Sequence, residues 1–81
     1  MTMTERMQRL TALRQERAAK WDTARTFLDS KTHDGRMSEA DAAAYETMEK
    51  ELTDLGNDIA RLERANELEA AMNAAADPLL G

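Results

Sequence analysis

Residues 38–72 read SEADAAAYETMEKELTDLGNDIARLERANELEAAM. Within them Tyr45, Met48, Leu52, Leu55, Ile59 and Leu62 recur at alternating steps of three and four. That is the spacing of a helix-packing seam, held over about three heptads with no proline inside. Glu46, Glu49, Lys50, Glu51, Asp54, Asp58, Arg61 and Glu63 fill the places between, so the remaining faces are solvated. The stretch is a long amphipathic helix with one narrow apolar stripe, and the rest of the chain reads as its partner, its turn and its tail.

The partner comes first. Thr2, with Glu5 three residues on, is a capping-box signature, and a helix is expected over about residues 3–30. Its stripe is Met3, Met7, Leu10, Leu13, Trp21, Ala24 and Leu28, with Phe27 at the edge and Arg17 near the middle. An arginine there packs its stem and turns its head to water. The sharper expectation is a salt bridge from Arg17 to Glu49 or Glu51 that fixes register. Residues 31–37 form the turn: Asp34-Gly35 is a turn signal in which Gly35 is free to take positive φ. The only histidine, His33, lies in this polar turn and reads as solvated. Ser38 caps the second helix, expected over about residues 38–74, with Glu39 and Asp41 suiting its dipole. Gly56 interrupts this helix, either as a neutral surface residue or as a point of close approach. Residues 1–76 thus make one domain, and residues 77–81, with Pro78, read as a C-terminal linker.

Two helices joined by a short turn pack antiparallel, so the fold class is all-α, a two-helix coiled-coil hairpin. Counting outward from the turn pairs Trp21 with Met48, Arg17 with Leu52, Leu10 with Ile59 and Met7 with Leu62. The hairpin seam is then Met7, Leu10, Trp21, Leu28, Tyr45, Met48, Leu52, Leu55, Ile59 and Leu62. On this count residues 66–72 overhang, and Asn66 occupies the place where the seam would continue. Leu13, Phe27, Leu68 and Met72 are left as candidate subunit contacts.

Composition sharpens the expectation of association. Eighty-one residues with one Trp, one Tyr and one Phe bury little surface alone, and no Cys is present to supply a disulfide or a thiolate metal site. Oligomerisation, as a helical bundle of several copies, is the remaining source of stability. The net charge of −5 is uneven: residues 1–36 hold eight bases and five acids, and residues 37–81 three bases and eleven acids. Basic segments therefore attract acidic ones, which favours one pairing over others more than it stabilises.

Signals for chemistry are missing from the sequence. No carboxylate pair is marked for acid–base work, no nucleophile sits beside a base, and no Gly-rich phosphate loop occurs. The chain therefore reads as a non-enzyme that needs no cofactor and no metal. Bases interleaved with acids, and few aromatic residues, argue against nucleic acid. No apolar run approaches the ~20 residues of a membrane span, and no secretion signal is visible, so a cytoplasmic protein is expected.

The run Asp34-Gly35-Arg36-Met37-Ser38-Glu39-Ala40-Asp41, followed by Tyr45-Glu46, Leu52-Thr53-Asp54-Leu55 and Ile59-Ala60-Arg61-Leu62-Glu63-Arg64, resembles the N-terminal delta domain of tailed-phage major capsid proteins, the family typified by phage Hong Kong 97. Leu13-Arg14-Gln15-Glu16-Arg17 fills the place of that family's Arg-rich first helix. The resemblance spans about residues 5–70 and is carried by the order and spacing of phrases that are individually generic to coiled coils. It implies an internal scaffolding domain, fused ahead of the capsid shell domain, that guides procapsid assembly in the host cytoplasm. Such a domain lies inside the procapsid and is removed by a phage maturation protease, so it is absent from the mature virion. The sequence departs from the family in containing no shell domain; a fragment and a separately encoded scaffold are both compatible with it. The alternatives are a stand-alone coiled-coil adaptor or regulator and a helical nucleic-acid-binding arm.

Overall fold

The computed structural model describes residues 1–76. They form two antiparallel helices, α1 (Met3–Lys31) and α2 (Glu39–Ala76), with no strand among the described residues. The expected linker, residues 77–81, lies outside the described residues.

Each helix starts where a side chain can satisfy the first free backbone donors. Thr2 is extended (φ −79°, ψ 167°), and its hydroxyl accepts from the Glu5 N–H at 3.1 Å. The Glu5 carboxylate accepts in return from the Thr2 N–H at 3.3 Å, closing the capping box. The Thr2 N–H first, and then the Thr2 hydroxyl, hold the Glu5 carboxyl below its ordinary pKa. The folded state therefore binds that proton less tightly than the unfolded chain does. The cap's contribution is complete above the ordinary carboxylate pKa and disappears as pH falls through the lowered one. Lowering pH below the carboxylate range should unlatch the first turn of α1, and Glu5→Gln, which has no carboxyl to titrate, should remove that part of the pH dependence in a denaturant series.

α1 runs one residue beyond the expected boundary and stops when Thr32 turns extended, its N–H still donating to the Leu28 carbonyl at 3.0 Å. Asp34 (φ 54°) and Gly35 (φ 76°) both take the left-handed region, which glycine and aspartate tolerate best. Two successive positive φ values make the primed turn that reverses a chain in two residues. His33 and Arg36 close it with reciprocal backbone bonds of 2.8 and 3.0 Å. Ser38 is then the cap rather than the first residue of α2, its hydroxyl accepting from the Asp41 N–H at 3.1 Å.

The core is small. Among the described residues Leu10, Leu13, Ala24 and Ile59 are buried, and Leu55 and Leu62 pack on the Leu10–Leu13–Ile59 cluster. Leu13, expected at a subunit contact, instead belongs to this intramolecular cluster. Its spacing of three from Leu10 places the two side by side on the face that meets α2.

Candidate association surface

The structure separates the expected seam into parts. Leu10 and Ile59 meet in the buried cluster, while Leu28, Tyr45, Met48, Leu52, Leu55 and Leu62 are half-buried. Met7 and Trp21 are not enclosed: they are 59% and 46% exposed. They lie on the flank of α1: alternating steps of four and three join Met7 to Trp21 along one line of the helix, set to the side of Leu10 and Leu13. Of the expected subunit contacts, Phe27 is half-buried, whereas Leu68 and Met72 are exposed.

Polar contacts between the helices also depart from the simple count. Arg17 makes no salt bridge to Glu49 or Glu51. Its guanidinium lies over Gly56, where a Cβ would stand 3.3 Å from Arg17 Nη2. Glu51 pairs instead with Lys20 at 3.0 Å, and Arg14 approaches Glu63 at 3.4 Å. Arg6 grips the far end of α2. It donates to Asn66 Oδ1 at 2.8 Å and Glu69 Oε1 at 3.1 Å, and also to the Met1 carbonyl at 3.0 Å. Asn66 is thus engaged by α1, and the single-helix overhang of α2 begins beyond Glu69 rather than at Asn66.

These partners all lie farther from the turn on α2 than outward counting places them, for one geometric reason. Helical side chains lean toward the N-terminus of their own helix. In an antiparallel pair, α1 side chains therefore lean away from the turn and α2 side chains lean toward it. A long arginine meets α2 about a turn beyond the residue level with its own Cα.

Gly56 is met by the flexible tip of the Arg17 side chain rather than by the α1 backbone. Gly56→Ala should therefore stabilise the hairpin. Removing a mid-helix glycine gains about 1 kcal/mol, and the guanidinium need shift only slightly. The urea midpoint should rise by the equivalent of about 0.5–1 kcal/mol with an unchanged slope.

Along one flank the helices leave a groove in two adjoining lengths. One is lined by Met3, Met7, Leu10, Asn66 and Ala70 among others, and the second by Arg17, Ala18, Trp21, Leu52 and Ile59. Arg14 and Glu63 line both and mark their junction. On α1 this flank follows Met7, Thr11, Arg14, Ala18 and Trp21, alternating steps of four and three. The same period was available in the sequence, but polar Thr11 and Arg14 within it hid a second line beside the Leu10–Leu13 stripe.

Among the described residues, no group of three or more His, Asp or Glu side chains is placed to hold a metal ion, and no helix is long and apolar enough to cross a membrane. No family model, curated protein or solved structure matches the chain.

Proposed function

We propose that this hairpin is an internal scaffolding domain of a phage or prophage major capsid protein. In this reading it acts inside the procapsid through reversible helix–helix association, and a maturation protease then removes it. The observation that carries the reading is the division of its apolar residues. Among the described residues four are buried within the hairpin, while Met7, Trp21, Leu68 and Met72 stay exposed on both helices. A scaffold needs contacts of this kind, individually weak and repeated, because misplaced subunits must dissociate and the domain must later leave. The Leu13-Arg14-Gln15-Glu16-Arg17 phrase and the order of the phrases from Asp34 to Arg64 supply the resemblance to capsid delta domains.

The test is assembly. The gene carrying this sequence should continue into, or lie beside, a capsid shell domain. Expression of that shell with the hairpin should give closed particles that contain it, and omission of the hairpin should give open or irregular assemblies in electron micrographs. Closed particles of the same size and yield without the hairpin would rule out the scaffold role. The adaptor reading would then stand in its place.

A further inference from the structure

The geometry points to a specific partner for the groove beside Arg14 and Glu63: a second copy of this chain, docked to form an antiparallel four-helix bundle about a two-fold axis parallel to the hairpin. This deepens the proposed function, since it rests on association between hairpins and names the surface that associates.

Charge selects the pairing. α1 carries seven bases and four acids, a net +3, and α2 three bases and ten acids, a net −7. Within one hairpin this contrast is already used, through Arg6–Glu69, Arg14–Glu63 and Lys20–Glu51. An axis running along the rod sets α1 of each copy on α2 of the other, so the same basic-to-acidic pairing repeats across the interface. It also makes every neighbouring helix antiparallel, which suits the helix dipoles. An axis across the rod would instead stack α1 on α1 and α2 on α2, setting like charges face to face.

The groove has the layers such a bundle needs. Trp21 lies with Leu52 in one length, and Met7 lies with Ala70 in the other. Arg14 and Glu63, 3.4 Å apart and exposed on the outer side, lie between them. The rotation leaves heights along the rod unchanged. Trp21 and Leu52 of both copies then form one apolar layer and Met7 with Ala70 another. Between the two, Arg14 and Glu63 alternate in charge around the axis. A polar layer between apolar ones fixes register, because any slip brings Trp21 onto the charged pair.

The size of the patch fits a reversible contact. From Met3 to Trp21 the groove runs about 27 Å. Two helix widths make it on the order of 500 Å² per copy, at the low end for specific interfaces.

Two measurements decide it. First, the dimerisation constant from sedimentation equilibrium should weaken at least tenfold in Trp21→Ala, with helix content by circular dichroism unchanged, since Trp21 is half exposed in the single hairpin. Arg14→Glu should weaken it comparably, and Arg14→Glu with Glu63→Arg should restore it. Second, the chain has no cysteine, so His33→Cys in the exposed turn accepts a single spin label. In the dimer the two labels should lie within about 30 Å, both turns being at one end of a bundle two helices wide. Labels about 57 Å apart would instead place the turns at opposite ends and overturn the axis. A dimer indifferent to Trp21→Ala but lost in Leu68→Ser would overturn the groove and leave the scaffold reading to the particle experiment. A chain that stays monomeric at all concentrations would also overturn the groove, again without deciding particle assembly.

Discussion

Ile59→Asp is expected to abolish cooperative thermal unfolding of the hairpin. Ile59 is 5% exposed and is the one buried residue that α2 contributes to the cluster with Leu10 and Leu13. Truncating a buried isoleucine typically costs about 2–5 kcal/mol through lost burial and the space left behind. A carboxylate in that space adds the cost of desolvating a charge, or of taking up a proton to avoid it. Against this stands a total stability of roughly 4–11 kcal/mol for 76 residues, and a core this thin belongs at the lower end. Far-ultraviolet circular dichroism should show a weak, nearly linear loss of helix with temperature in place of a sigmoid. Leu55→Asp should follow it, because Leu55 packs on the same cluster. If either melt overlays that of the parent chain, some other contact holds the helices together.

Arg6→Ala is expected to cost about 1–2 kcal/mol and to loosen the open end of the hairpin selectively. One guanidinium serves three acceptors there, Asn66, Glu69 and the Met1 carbonyl. Its side chain is 15% exposed, so solvent screens it less than the other inter-helix ion pairs. Hydrogen bonds to a partly desolvated charge contribute more than surface ion pairs, though the exposure of Glu69 reduces the gain. Amide hydrogen exchange should lose protection in residues 64–72 and in the first two turns of α1, while amides around Ile59 keep theirs. A uniform loss along both helices would mean that the hairpin opens as a single unit.

How much of this was legible in the sequence depends on the range of the interaction. The capping box at Thr2 and Glu5, the Ser38 cap and the Asp34-Gly35 turn rest on contacts three or four residues apart, and each appears where local chemistry places it. Ile59 was legible because α2 carries a single unambiguous stripe. α1 was harder. Its apolar residues fall on two lines, one through Leu10 and Leu13 toward α2 and another through Met7 and Trp21 along the flank, and a count of spacings merges them. The pairing of Arg17 with Gly56, rather than with Glu49 or Glu51, depends on how far a side chain leans along its axis. That is a three-dimensional quantity with no trace in residue spacing.

The turn has a further consequence, for kinetics. Contacts across the hairpin begin within the turn with a pair three residues apart, His33 and Arg36, and reach 63 residues apart at Arg6 and Glu69. Each step outward from the turn closes only a short additional loop, so the hairpin can zip from its turn without a costly long-range search. The chain therefore belongs with helical proteins that fold in microseconds to milliseconds. Asp34 and Gly35 govern how fast the structure is gained, while Arg6, at the last contact to close, governs how soon it begins to be lost.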